Sequence, residues 1–389
     1  MKILITHNDY GRHSGEESAV DKMGDMMRTH GHDICYYRTS TAGHQHGLRS
    51  RIRIFFSGIY SWRGVKGIKR TLSREKPDII NVHNLYPFIS PAALFACKSK
   101  GVPVVMTVHN YRLVCPTGLF LRNDHPCEHC LHHGNEWGCI RFNCEKNFFK
   151  STAYALRSFI ARKCGAYRKN VDRYVCLTYF QKKKLIEAGF RADMITVIPN
   201  SINLRAENNS SSGQYIAYVG RLSKEKGWDL LVEIAKRDPG LIIAVAGSPR
   251  EEQDTLSLPE NIRFSGFLDQ DKLTDFYRKA RFLVIPSRCY EGFPLVALEA
   301  MAMGKPVIAP DHGGFSDIVG KNADAAGILF RPNDPDDLEY AIRRLWNDPD
   351  LTRTLGNYAI EKIRTSYSSE LVYRQWEDLF AELLQSRKN

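Results

Sequence analysis

Two glutamates eight positions apart, in Glu291-Gly-Phe-Pro-Leu-Val-Ala-Leu-Glu299, stand downstream of an arginine and a lysine, Arg221 and Lys226. The first carboxylate precedes a Gly292-Phe293-Pro294 turn, and the second falls inside the helix that the turn opens at Leu295. Pro294 suits the first helical position, where its missing N–H costs nothing. The backbone N–H groups at such a helix start form an anion site. Eight residues of helix rise about 12 Å, the order of the span from sugar hydroxyls to ribose across a diphosphate. Upstream, Tyr215-Ile-Ala-Tyr-Val-Gly220 reads as a buried strand, followed by Arg221-Leu-Ser-Lys-Glu-Lys226-Gly-Trp. An Arg and a Lys at a strand-to-helix turn can neutralise a diphosphate through charge-assisted hydrogen bonds. Each residue alone is commonplace, since surface helices often carry paired Glu and loops carry solvated Arg and Lys. The order and the Gly/Pro contexts together make the chemistry.

The elements that must position these groups repeat a strand–helix rhythm, which predicts an α/β chain with parallel sheets. Strands are expected at Lys2–His7, Asp33–Arg38, Asp78–His83, Val102–His109, Arg173–Thr178 and Met194–Pro199, then at Gln214–Gly220, Leu241–Gly247, Ile262–Phe267, Phe282–Pro286, Pro306–Ala309 and Gly327–Phe330. Between the two sets, the polar stretch from Ser201 to Gly213 reads as a linker. The reading is therefore two Rossmann-like domains, residues 1–200 and 214–368, with ligands expected outside the strand C-termini.

At these residues the chain resembles the retaining glycosyltransferases of family 4, the glycosyl transferases group 1, over nearly its whole length. The resemblance implies the GT-B fold, in which two Rossmann-like domains face each other across a cleft and a terminal helix, here 369–389, crosses back to the first domain. It implies transfer from a nucleotide-diphosphate sugar with retention at the anomeric carbon, the leaving diphosphate accepting the acceptor's proton. Arg221 and Lys226 would stabilise the diphosphate charge. Glu291, with the backbone of Gly292, Phe293, Pro294 and Leu295, would orient the sugar hydroxyls, and Glu299 would bind the ribose. Gly220, and the backbone around Gly247 and Phe267, would complete the donor site near the base, UDP being favoured over GDP. The family also carries a functional His at the position matching His109. Its Gly-Gly loop near the donor is similar to His7-Asn-Asp-Tyr-Gly-Arg-His-Ser14-Gly15, where Ser14 replaces the first Gly. Gly15 would still allow close approach of backbone to phosphate. The implied chemistry needs no metal or other cofactor. Asp334-Pro-Asp336 and Asp348-Pro-Asp350 read as helix caps rather than as a metal-binding D-x-D.

Two His-Asn pairs, His83-Asn84 and His109-Asn110, end predicted strands of the first domain. His83, Asn84 and His109 are the candidate acceptor-side residues, although a His at a strand end is more often structural. Half of the ten cysteines fall within thirty residues, in Cys115-x11-Cys127-x2-Cys130-x8-Cys139-x4-Cys144. A C-x2-C knuckle with further Cys nearby is a zinc pattern. Related chains carry a similar four, which selects Cys115, Cys127, Cys130 and Cys144 for a structural zinc, with Cys139 as the substitute. The bland alternative is unconnected thiols in an insertion, about 115–144, without a clear strand or helix pattern.

Of 389 residues, 55 are Lys or Arg and 43 Asp or Glu, a formal charge of +12. Residues 1–200 hold 31 of these cations against 15 acids, and the rest hold 24 against 28, so the first half carries the positive field. Such a field attracts nucleic acid, anionic membrane or phosphorylated substrates. No helix-turn-helix or RRM signature accompanies it. The stretch Arg49–Arg70 instead mixes cations with Ile52, Phe55, Phe56, Ile59 and Trp62, and Lys146–Lys150 repeats the mixture. This suits an anionic membrane surface, or equally a crossover helix with its apolar face on the sheet. Gly58, Gly64 and Gly67 argue against one long helix. No apolar run reaches the roughly 18–20 residues of a membrane span, and Met1-Lys-Ile-Leu-Ile-Thr-His reads as a strand rather than a signal peptide. The expectation is a cytoplasmic, peripheral-membrane transferase with a lipid-linked saccharide acceptor from cell-surface polysaccharide synthesis. The rivals are a zinc-stabilised nucleic-acid-binding protein and a GT-B enzyme of another reaction, an epimerase or phosphorylase.

Overall fold

A computed structural model describes residues 1–10, 14–42, 48–202, 213–248 and 258–387, with backbone alone for 48–52. The chain forms two compact units. The first holds Met1–Leu119, Glu128–Ser201 and Val372–Asn389, and the second holds Phe120–Cys127 and Ile202–Leu371. The predicted linker falls largely on 203–212, outside the described residues.

In the first unit, strands β1 (Lys2–Asp9), β2 (Asp33–Ser40), β3 (Ile79–Val82) and β4 (Val104–Val108) lead to a small hairpin, β5 (Leu121–Arg122) and β6 (His125–Pro126), which belongs to the second unit. Strands β7 (Arg173–Cys176) and β8 (Ile195–Val197) complete the first sheet, in the order β2-β1-β3-β4-β7-β8 and parallel throughout. The inner strands β3 and β4 are apolar except for Asn81 and Thr107, which hydrogen-bond each other, and are buried at every position because helices cover both faces. On one face Ile3, Ile5, Val105 and Val175 pack against Val20, Met27 and the terminal helix, which contributes Trp376, Phe380 and Leu383.

The second unit repeats the design with β9 (Tyr215–Val219), β10 (Ile243–Ala246), β11 (Ile262–Phe264), β12 (Ala280–Val284), β13 (Val307–Pro310) and β14 (Gly327–Phe330), ordered β11-β10-β9-β12-β13-β14. This is the 3-2-1-4-5-6 Rossmann order, in which ligands bind where the strand order reverses, outside the C-termini of its first and fourth strands. The first sheet's order puts the same reversal between β1 and β3.

All twelve predicted sheet strands are present, with ends shifted by a few residues. Two local expectations change, and one, that the basic–aromatic stretch is not a single long helix, holds. The Cys-rich insertion is not patternless: Asn123 and Asp124, both at positive φ, close the β5–β6 hairpin. Two short helices follow, His129–His132 and Trp137–Arg141. This hairpin leaves the first unit because Asn333 donates to the Asp124 carbonyl at 2.9 Å and the Phe120 ring packs 5.8 Å from Tyr290. The basic–aromatic stretch is two helices, Leu48–Ile59 and Trp62–Glu75, the second capped by Ser61, which accepts from the Gly64 amide. Finally, Glu291 and Glu299 do not share a helix. The helix runs Leu295–Ala302 with Pro294 as an extended N-cap, so their separation is not a helical rise.

Candidate functional site

The second unit's site forms where β9 and β12 end side by side. After β9 the chain turns through Gly220 and Arg221 into a short 3₁₀ turn, Lys224–Lys226, and then the helix Trp228–Arg237. Gly227 makes this turn possible: it sits at φ +68°, and a Cβ there would lie 1.8 Å from the Pro286 carbonyl oxygen. Lys226 thereby reaches Glu291, Nζ to Oε1 at 2.5 Å, with the two side chains 27% and 15% exposed. Ser287 Oγ donates to the same oxygen at 2.7 Å. Burial alone would raise the Glu291 carboxyl. Lys226, Ser287 and Arg221 outweigh it and hold the group below its usual range. Burial would likewise lower Lys226, yet Glu291 keeps it above its ordinary value. Both are charged at neutral pH, so the site is a preformed ion pair with a cationic rim.

Arg221 supplies that rim. Its side chain is 62% exposed and meets Glu225 Oε1 at 3.4 Å. Its carbonyl accepts from Tyr218 Oη at 2.6 Å, which fixes the backbone while leaving the guanidinium extended. Gly220 and Gly247 end adjacent strands, and a Cβ on Gly247 would lie 1.8 Å from the Gly220 carbonyl oxygen. Glu299 accepts from Tyr277 Oη at 3.1 Å. Phe267 is 73% exposed. Gly292 and Pro294 are buried, and Phe293 and Leu295 half-buried, at the start of the Leu295–Ala302 helix. Asp334 and Asp348 cap the helices Pro335–Asn347 and Pro349–Lys362 with their side chains.

Sequence reasoning passed over three contributors. Ser287 is 1% exposed and shares Glu291 with Lys226. The Gly314 amide donates to the Glu291 carbonyl at 2.9 Å, tying the loop after β13 to the site. His312, held by Ser287 O at 3.1 Å, is driven by burial to a pKa of about 4 and is a neutral ring. A serine three residues past a strand carries no signal of its own. The His312-Gly313-Gly314 run after a strand was the visible one.

The first unit gathers its candidates at its own reversal, between β1 and β3, with β4 beside them. His83 Nδ1 and His109 Nε2 lie 2.7 Å apart, one donating to the other. Burial pushes both pKa values down, so neither ring is charged at neutral pH. Asn84 is a staple, donating to the Asn8 and Tyr86 carbonyls and accepting from the Tyr86 amide. Gly15 opens the helix Gly15–Thr29 behind Ser14, whose hydroxyl caps the Glu17 amide while Glu17 returns to the Ser14 amide. The Ser in place of the first Gly is thus half of a capping box. His7, Asp9 and Glu17 bring ligand atoms within 4.8 Å of one another. Asp9 is already taken by Arg38, and Glu17 by the Tyr10 and Ser14 amides, which leaves no open carboxylate for a cation.

In the Cys-rich segment, Cys139 is 1% exposed, its thiol donating to Ser151 O at 3.6 Å. A hydrogen bond with Cys144, then burial and the proximity of Cys115 and Cys130, push its pKa far above the thiol range. Cys139 thus meets Cys144 directly and feels Cys115 and Cys130 through space. Cys127, three residues before Cys130, ends the hairpin with its amide on Phe120 O at 2.7 Å.

Comparison with known proteins agrees with this fold. Residues 200–362 match the family described as glycosyl transferases group 1, and residues 14–206 match Glycosyltransferase Family 4. An uncharacterized glycosyltransferase of Methanocaldococcus jannaschii is 29% identical over 67% of this chain and 70% of its own. Sucrose-phosphate synthase from Thermosynechococcus elongatus superposes with a TM-score of 0.72 at 20% identity, covering 99% of each chain. Anabaena HepE, solved with UDP and glucose, gives 0.68 at 17% identity over 98% of this chain and all of its own. At such identities the structural likeness speaks to the fold.

Proposed function

The chain belongs to the glycosyltransferases of family 4, group 1, with the GT-B fold, and on that premise we propose that it moves a hexose from a UDP-sugar to a lipid-linked saccharide with retention of configuration. The observation that carries this reading is the Lys226–Glu291 pair at the β9/β12 reversal, with Arg221 extended beside it. Arg221 and Lys226 take the diphosphate, Glu291 the sugar hydroxyls and Glu299 the ribose. The donor C1–O bond breaks toward the diphosphate, the acceptor oxygen bonds C1 on the same face, and its proton passes to the departing phosphate oxygen. No protein nucleophile is needed. The UDP preference draws on HepE, which was solved with UDP.

The test is transfer by the full chain from a panel of UDP- and GDP-hexoses to undecaprenyl-diphosphate-linked saccharides, with product stereochemistry read by NMR. An axial donor linkage should give an axial product, and EDTA should leave the rate within about twofold of the untreated protein, since charge stabilisation by Arg and Lys replaces the metal. An inverted product, or strict dependence on added Mn²⁺ or Mg²⁺, would overturn the mechanism.

The same reading places the first unit on an anionic bilayer. Among the described residues, no helix is long and apolar enough to cross a membrane. Phe56, Tyr60, Trp62, Phe148 and Phe149 are nevertheless exposed, Phe149 by 83%, beside exposed Arg53, Arg63 and Lys66. The helix Leu48–Ile59, which carries Arg53 and Phe56, packs against Phe148–Lys163, which carries Phe148 and Phe149. Arg51, part of the expected patch, lies where side chains are not described. Co-sedimentation with anionic but not neutral vesicles is expected, weakening as salt screens exposed charge over about 8 Å. Arg53→Glu with Arg63→Glu should abolish it and leave UDP affinity unchanged, whereas equal binding to neutral vesicles would refute the surface.

A further inference from the structure

One guanidinium laces together the loops at the C-terminal edge of the second sheet. Arg288 stands four residues past β12, on the loop that leads to Glu291, and is 8% exposed. Its Nη1 and Nη2 grip both oxygens of the Asp229 carboxylate, the Nη2 to Oδ2 bond being 2.8 Å. Asp229 lies in the first turn of the helix Trp228–Arg237. Nη1 also donates to the Lys224 carbonyl at 2.9 Å, and Nε donates to Asn333 Oδ1 at 2.9 Å. Asn333 follows β14 at φ +59°, and its own amide reaches the Asp124 carbonyl of the hairpin. The loops after β9, β12 and β14 thus meet on one side chain.

These bonds act on the Lys224–Lys226 turn. The Arg288 amide donates to the Glu225 carbonyl at 3.0 Å, and Ser287 Oγ donates to the same oxygen at 3.3 Å. The turn is therefore stitched to residues 287–288 along its backbone, next to the Lys226–Glu291 pair. Hydrogen bonds from an ionised group are about twice as strong as neutral ones, so the guanidinium is the firmest of the stitches. Its planar fork also fixes the angle of a partner as well as the distance. Arg288 itself spends its donors on Asp229, Lys224 and Asn333 and has little surface left to offer a ligand. Arg221 and Lys226 are the opposite case, with side chains 62% and 27% exposed.

We propose that Arg288 is a positioning residue of the diphosphate clamp. It touches no reacting atom. It holds the Lys224–Lys226 turn against the Glu291 loop, so that Arg221 and Lys226 deliver their charges to one place, the two phosphates of a nucleoside diphosphate. Charge fixed in advance serves better than mobile charge, because no reorganisation is left for the moment of reaction. The inference rests on the donor-site reading given above and adds that a residue outside the clamp sets its strength. An Arg288 with a purely structural task would stabilise the unit and leave selectivity among nucleotides as it was.

Titration calorimetry of nucleotides on the full chain separates these roles. The probes are whichever of UDP and GDP the wild type binds more tightly, and the matching monophosphate. Arg288→Gln should weaken the diphosphate by about tenfold or more and the monophosphate by no more than about twofold, since misplacing a positioned group by about 1 Å can cost as much as 10²-fold. Arg288→Lys should fall between, because a point charge cannot grip Asp229 and Asn333 together. Asp229→Asn leaves the fork one oxygen and removes the counter-charge, so it should show the same selective loss at smaller size. The Asp229 side chain is 47% exposed, so this variant keeps the test alive should Arg288→Gln not fold. Equal weakening of diphosphate and monophosphate overturns the positioning role. So does wild-type diphosphate binding by both Arg288→Lys and Asp229→Asn. If the wild type binds neither diphosphate, or Lys226→Ala binds it as tightly as wild type, the donor-site reading fails and the proposal falls with it. The wild type and Lys226→Ala thus report on the site, and the Arg288 and Asp229 variants on the positioning.

Discussion

Lys226→Ala is expected to reduce kcat/KM by about 10³-fold or more, and to weaken UDP binding, while the protein stays folded. The size follows from the lysine's two roles. It stabilises charge on the leaving diphosphate, and loss of one such preorganised donor alone costs roughly 10²–10³ in rate. It also holds Glu291, whose carboxylate sits 2.5 Å away with 15% of its side chain exposed. Without Lys226 the carboxylate keeps Ser287 but loses its counter-ion, and its pKa should rise as burial takes over. Removing one partner of a fully buried pair costs about 3–5 kcal/mol. With 27% of Lys226 exposed, roughly 1–3 kcal/mol is the expectation here. Arg221→Ala should lower kcat/KM comparably and leave Tm within a degree or two, because its side chain is 62% exposed and its one ion pair is 3.4 Å long. A Lys226→Ala protein with near wild-type turnover would sink the clamp, and Arg221→Lys should rescue only part of the loss, since it keeps charge without the fork.

Much of this site was legible because its chemistry is local. Gly220-Arg221 and Glu291-Gly-Phe-Pro each sit just past a strand that reads as apolar, and parallel strands deliver their C-terminal loops to one edge. What the chain could not announce was who meets whom. Nothing local pairs Lys226 with Glu291, separated by 65 positions, or brings the Gly314 amide onto Glu291. The helical rise expected between Glu291 and Glu299 failed for a local reason. The proline acts as an extended cap, so the helix begins after it. In the first unit, Arg157 and Arg112 look in sequence like two more charges of a basic half. Arg157 is buried against Tyr86, far along the chain, as well as Tyr154 on its own helix, and Arg112 is half-buried beside Tyr10. The hairpin Phe120–Cys127 was hidden likewise, since its partners Tyr290 and Asn333 lie far along the chain.

The cysteines give the second large effect. We propose that the segment Cys115–Cys144 holds one structural zinc on four thiolates, Cys115, Cys127, Cys130 and Cys144, with Cys139 as the substitute. Four sulfurs suit a closed tetrahedral zinc site. Cys144 hydrogen-bonds the buried Cys139, and Cys115 and Cys130 act on it through space; this shared neighbourhood is what fits the group to these residues. Cys127 enters on the resemblance, and Cys139 also has a task as a thiol, donating to Ser151 O. Freshly purified, reduced protein should therefore contain close to one zinc per chain by metal analysis. Cys130→Ser should lose the zinc and lower Tm by on the order of 5–10 °C, because binding energy at a structural site is folding energy. Cys139→Ser should keep the metal if that residue is the protonated neighbour. Loss of zinc in Cys139→Ser but not in Cys127→Ser would exchange their roles. UDP affinity should be unchanged in every folded variant, since none of these cysteines is among the residues assigned to the nucleotide. Protein that carries no zinc when purified under reducing conditions, with Cys130→Ser as stable as the wild type, would leave these sulfurs as unconnected thiols.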